Sequence, residues 1–132
     1  VIGVLPQANP VSAPLRLSWV ATLYDLGHEL TTFSANPEPG AIRVRGHLST
    51  GTRGWVLRAE AGRRRTTITL RVTAVEAEPI RSPDLEFHRY EAVIPVWRPG
   101  RFRLRVTHSY LPRNRPGAGL LDPVFEETIN VP

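Results

Sequence analysis

Tyr90-Glu91-Ala92-Val93-Ile94-Pro95-Val96-Trp97-Arg98-Pro99-Gly100-Arg101-Phe102-Arg103-Leu104-Arg105-Val106 carries the clearest period-two pattern of the chain. Side chains on an extended chain point alternately to opposite faces. After Pro99-Gly100, Phe102, Leu104 and Val106 therefore share one face, and Arg101, Arg103 and Arg105 the other. One apolar and one guanidinium face make a half-buried strand. The residues before the pair read as a second strand. A Pro-Gly pair suits a type II turn, which splays a two-strand hairpin rather than closing it. Residues 86–96 and 101–110 are thus expected in opposite sheets of an all-β sandwich.

The same period runs outward from this pair. Leu15 to Tyr24 alternates, with Leu15, Leu17, Trp19 and Ala21 inward and Arg16, Ser18 and Val20 outward. Ile42, Val44 and Leu48 line the inner face of a strand over Ala41 to Leu48, and Trp55, Leu57 and Ala59 that of the next. Thr66 to Val75 carries Ile68, Leu70, Val72 and Ala74 inward and is rich in β-branched residues. Val124 to Val131 closes the set. Proline and glycine clusters predict loops over Asp25 to Gly40, Glu76 to Leu85 and Leu111 to Pro123, with a tight connection at Ala61-Gly62-Arg63-Arg64. The sum is about seven strands and no amphipathic helix. Residues 1–14 form an extended N-terminal arm, and residues 15–132 the sandwich.

A chain of 132 residues makes one domain of ordinary size. It has no cysteine, which excludes disulfides and thiolate chemistry. Methionine is absent too, even at position 1. This leads to the expectation of a chain processed from a longer one, a removed signal peptide being the simplest account. All 17 basic residues are arginine, and the net charge is +5. That balance favours anionic partners without identifying one. No apolar run approaches a membrane span.

Val93 to Val106 resembles the corner between the fifth and sixth strands of immunoglobulin-like and fibronectin-type-III-like sandwiches, where an apolar strand, a Pro-Gly corner and an aromatic precede alternating apolar positions. The resemblance covers roughly residues 41–131. It implies a single immunoglobulin-like β-sandwich of the kind found in bacterial envelope and secreted proteins, with Trp55 as core tryptophan. The chain departs from the pattern at Phe102, where a tyrosine would place a hydroxyl, and lacks the cysteine pair.

No catalytic constellation emerges. His28, His47, His88 and His108 show no metal-ligand spacing. His88 and His108 lean inward near strand ends, where Asp84 or Glu86 completes a candidate cluster; the plainer reading is two imidazoles at the core edge. No nucleophile elbow surrounds Ser49, Ser82 or Ser109. Glu76/Glu78 lie in a loop, and Glu126/Glu127 oppose each other across a strand, so neither pair converges as glycosidase carboxylates do. Gly117-Ala118-Gly119 follows no strand-to-helix turn. The expectation is a protein that is not an enzyme and takes no metal or cofactor.

Two binding features remain. The apolar arm, through Val1, Ile2, Val4 and Leu5, suits addition to a sheet edge, in its own subunit or in a neighbouring copy. Donation to a neighbour builds a filament when the rotation does not close. Arg58, Arg71, Arg101, Arg103 and Arg105 make the other feature, an arginine-rich face for anionic envelope glycans; the alternative is a solvated face offset by Glu60, Glu91 and Glu126. Aromatic residues do not interleave with the arginines, so nucleic acid is not expected. The leading reading is a secreted structural or interaction domain that contacts other copies or envelope proteins. Glycan binding is the competing one.

Overall fold

The computed structural model describes residues 2–4, 9–10, 15–22, 33–80, 86–113 and 122–132. The strands are β1 (Ile2–Val4), β2 (Asn9–Pro10), β3 (Arg16–Thr22), β4 (Ser34–Glu38), β5 (Ala41–Thr50), β6 (Arg53–Arg64), β7 (Thr67–Ile80), β8 (Glu86–Pro95), β9 (Gly100–Leu111) and β10 (Asp122–Val131). There is no helix among the described residues. One sheet runs β1-β6-β7-β9-β10, with β2 also paired to β6; the other runs β3-β8-β5-β4. The first is sheet A and the second sheet B below.

The apolar rows meet between the sheets as a sandwich core. Ile42, Val44, Leu57, Ile68, Leu70, Val72, Ala74, Ala92, Ile94, Leu104 and Val106 are all 0 % exposed. Phe102, Ile129 and Val131 join the same cluster. Strands β8 and β9 lie in different sheets, as the Pro-Gly corner requires. Gly100 opens β9 at φ 142°, a conformation that L side chains rarely adopt. Beside it, Trp97 meets Phe102 edge-on, with ring centroids 4.9 Å apart, and the Arg63 guanidinium sits 3.7 Å over the Trp97 ring.

Several boundaries differ from expectation. Ser34–Glu38 is a strand, not part of a loop. It occurs at a sheet edge, where proline is tolerated because no ladder donor is needed on the open side; Pro37 stands opposite Ile42. The tight connection expected at residues 61–64 is strand instead, and the turn follows at Arg65-Thr66, with Arg65 at φ 57°. Strand β7 continues through Glu76 to Ile80. Pro79 falls where the register shifts between Trp55↔Glu76 and Arg53↔Ile80, a place in the ladder that accommodates it. Trp55 packs half-buried against the core and donates through Nε1 to Thr52 Oγ1 at 3.0 Å. The inner row of β3 fades along its length: Leu15 just before it is 0 % exposed, Leu17 and Trp19 are half-buried, and Ala21 is exposed.

The count of long strands exceeds seven because of β4. The connectivity adds a second difference. Strand β7 pairs with β9 in parallel, Ile68 opposite Leu104 and Leu70 opposite Val106, whereas immunoglobulin-type sheets are antiparallel. Strands β4 and β10 approach each other along one flank of the sandwich, and β3 and β6 along the other. Stacking of Phe33 on Phe125, centroids 5.9 Å apart, seals the β4/β10 flank.

Candidate functional site

The arm lies on the β3/β6 flank. Ile2, Gly3 and Val4 pair in parallel with Ala59, Glu60 and Ala61 of β6, and Asn9 and Pro10 pair antiparallel with Arg63 and Gly62. The backbone of the arm thus extends sheet A beyond β6, within its own chain. Val1 and Leu5, the other two residues expected to dock, lie outside the described residues. The edge that receives the arm exists because β6 is the last long strand of sheet A, and nothing beyond the short arm segments pairs with it among the described residues.

The five arginines of the predicted face do share the outer surface of sheet A. Alternation places Arg58 on β6, Arg71 on β7, and Arg101, Arg103 and Arg105 on β9 opposite the buried rows. Thr69 stands beside Arg105, Thr67 beside Arg103, and Arg71 beside Thr107. Glu126 on β10 lies across from Arg105 and approaches Arg103 at 3.1 Å and Arg105 at 3.9 Å. Both are exposed pairs, so each contributes little to stability. Arg71 Nε and Thr107 Oγ1 are buried and have no hydrogen-bond partner. One row further on, Thr73 and Ser109 satisfy each other at 2.7 Å.

Glu91 is not on this face. It belongs to the outer surface of sheet B, because β8 lies between β3 and β5 there. Its carboxylate accepts from Arg43 Nη1 at 2.5 Å and Arg45 Nε at 2.7 Å, and Arg43 also reaches Glu38 at 3.3 Å. The hydrogen bond from Arg45 outweighs desolvation, Arg43 adds to it, and the Glu91 carboxyl is held below its ordinary range. A shallow groove of about 500 Å³ crosses the same surface, lined by Ser18, Val20, Arg45, His47, Arg89 and Glu91 among others. Alternation cannot reveal this groove, since it joins residues from four strands, β3, β4, β5 and β8, whose order is set at long range.

The candidate histidine cluster resolves into two separate contacts. Tyr90 reaches across the core, and its hydroxyl lies 2.7 Å from His108 Nε2. Burial is the main reason that the Tyr90 phenol is pushed above its usual range. His88 instead meets Thr50 Oγ1 at 3.2 Å and Glu86 Oε1 at 3.4 Å. Asp84 lies outside the described residues, and no group of three potential metal ligands occurs among those described.

His88 has a definite tautomer. Thr50 gives its one hydroxyl proton to the Thr52 carbonyl at 2.9 Å, so the hydrogen between Thr50 and His88 belongs to His88 Nε2. Nδ1 is then an acceptor, buried without a partner. Protonation would bury an N–H there with nothing to receive it, and burial lowers the His88 pKa from 6.5. The folded chain therefore binds this proton later than the unfolded chain. His88 leaves stability unaffected above pH 6.5 and reduces it as pH falls from there toward the lower folded pKa. Glu86 acts oppositely: desolvation raises its pKa, so its contribution is present at low pH and lost as pH rises from 4.5 through the folded value. Comparing thermal unfolding at about pH 7.5 and about pH 5.5 isolates His88 when His88→Gln is run beside the parent. The parent is expected to lose more stability on acidification than the variant; equal losses would exclude this account.

Compared with protein-family models, curated proteins and solved structures, the chain matches none. A sandwich fold carries no activity by itself.

Proposed function

We propose that this chain is a non-enzymatic, extracytoplasmic β-sandwich interaction domain that assembles by exchange of its N-terminal arm. The observation that supports this is the pairing of Ile2–Val4 with Ala59–Ala61. Residues 2–4 occupy the outer edge of β6. Exchange between copies keeps every such contact and only changes which subunit supplies the arm. Main-chain hydrogen bonds provide the affinity of such strand addition, as in other β-augmentation. Reciprocal exchange closes a dimer, and head-to-tail donation extends a filament.

A second reading has its own support. Five arginines line one face against Glu60 and Glu126, and Arg58, Arg101, Arg103 and Arg105 are exposed there. Such a face suits the sulfate, phosphate or carboxylate groups of an envelope glycan, because guanidinium binds oxyanions bidentately.

One experiment separates the two. Removal of residues 1–10 is expected to shrink the size distribution in light scattering and leave retention on an immobilised sulfated polysaccharide unchanged. High salt should release the polysaccharide, because exposed charges are screened, and spare a contact made by main-chain bonds and apolar side chains. An unchanged size distribution after truncation would eliminate arm exchange.

A further inference from the structure

Among the described residues the two sheets end in four edges, and three of these carry devices that discourage pairing with another chain. Strand β10 has Pro123, a register shift between Pro123 and Phe125, and exposed Glu126 and Glu127. Strand β4 holds Asn36-Pro37-Glu38. Strand β1 is three residues long. Such prolines, bulges, charges and short lengths are the usual protection of sheet edges. Strand β3, Arg16-Leu17-Ser18-Trp19-Val20-Ala21-Thr22, has none of them beyond the arginine at its start. It pairs with β8 on one side, and no described residue pairs with the other.

Two further observations show that β3 is incompletely covered. Val20 is 59 % exposed, the most exposed large apolar residue described. On the inner face, Leu17 and Trp19 are half-buried and Ala21 is exposed, although Leu15 beside them is 0 % exposed.

We infer that β3 is a dimerisation edge, pairing antiparallel with β3 of a second copy so that the two β3-β8-β5-β4 sheets become continuous. The sequence of the strand is complementary to itself in this arrangement. With Trp19 opposite Trp19 of the second copy, Leu17 faces Ala21, Ser18 faces Val20 and Arg16 faces Thr22. Inner apolar residues then cover one another, and Val20 gains a neighbour. The two Arg16 side chains stand about 20 Å apart at roughly 3.4 Å per residue. A parallel pairing in register would bring those like charges together, which is destabilising. The contact is isologous and closes at two copies. It does not rest on arm exchange, although both edges occupy the same flank.

Charge placed at the Ser18/Val20 pair tests the register. That pair occurs twice in the dimer by symmetry. The double variant S18K/V20K sets lysine opposite lysine at both places, and S18K/V20E sets lysine opposite glutamate. Within one chain, position 18 stands opposite Glu91 and position 20 opposite Arg89, so a far-ultraviolet spectrum and thermal melt must first show that both variants fold. In sedimentation equilibrium of the full chain, S18K/V20K is expected to weaken dimerisation by about tenfold or more, and S18K/V20E to restore it to within about threefold of the parent. A parent that stays monomeric up to its solubility limit would overturn the inference. So would equal dimerisation by both variants. The same measurement on a chain lacking residues 1–10 separates the two interfaces: a dimer that survives truncation and fails in S18K/V20K supports β3, and a dimer lost on truncation but intact in S18K/V20K overturns it.

Discussion

Gly46→Val is expected to destabilise the domain by about 3 kcal/mol, the upper end of ordinary overpacking. The cause is a contact that only glycine permits. Gly46 on β5 stands opposite Tyr90 on β8, and the Tyr90 side chain passes over it on its way to His108 in the other sheet. A Cβ at position 46 would lie 2.5 Å from Tyr90 Oη, 2.7 Å from Tyr90 Cζ and 2.8 Å from Phe33 Cε1. Neither ring has room to retreat easily. Tyr90 is 3 % exposed and hydrogen-bonded to His108, and Phe33 packs on His47, His108 and Phe125. The melting temperature should fall by roughly 10 °C for a domain of this size. A double-mutant cycle with Tyr90→Val identifies the mechanism. Without the ring, the cost of Gly46→Val should shrink by about 1 kcal/mol or more, as coupled neighbours do. A Gly46→Val protein that melts with the parent would show that Tyr90 does not lie over this glycine.

That contact also shows where sequence reading stops. Alternation identifies the inner rows of β5, β7 and β9 residue by residue, because each of those strands buries one complete face. It places Arg101, Arg103 and Arg105 outside for the same reason. It assigns Arg58 and Arg71 to that face correctly, since β6 and β7 form a hairpin that carries its own register. It cannot assign Glu91 to its sheet surface, because that position depends on which strands flank β8, and strand order is a long-range property. Gly46 reads as an interruption of the row from Ile42 to Leu48. Its purpose appears only when Tyr90, far away in sequence, is set across from it. Strand β4 is hidden by the residues that suit it to an edge: Asn36 and Pro37 have the composition of a turn and the tolerance of an outermost strand. The β3 edge is legible only by comparison, once the other three edges are known to be protected.

Phe102→Ala is expected to cost more than any other single truncation, about 4 kcal/mol, within the range for removing a buried aromatic ring. Phe102 is 1 % exposed and leads the largest fully buried side chains. Its loss would leave a void at the end of the core where the chain crosses from sheet B to sheet A. Trp97, 4.9 Å from it and nearly perpendicular, would lose the ring against which it packs edge-on. The Arg63 guanidinium lies on the other partner of that pair, 3.7 Å above the Trp97 ring, so the three side chains form one cluster, with the cation over the indole and the phenyl nearly perpendicular to it. Aromatic pairs contribute about 1 kcal/mol beyond the area they bury, and an exposed cation–π contact about as much. Urea unfolding of Phe102→Ala, Trp97→Ala and the double variant measures the coupling directly. The double variant should be more stable than additivity predicts by about 1 kcal/mol. Strict additivity would mean that the two rings stabilise the corner independently, and that the crossing is held by Gly100 and the strand ladders instead. Phe102→Tyr then asks whether the corner follows the immunoglobulin pattern. A hydroxyl that finds a backbone acceptor leaves stability near the parent value, whereas one buried without a partner costs about 1–3 kcal/mol.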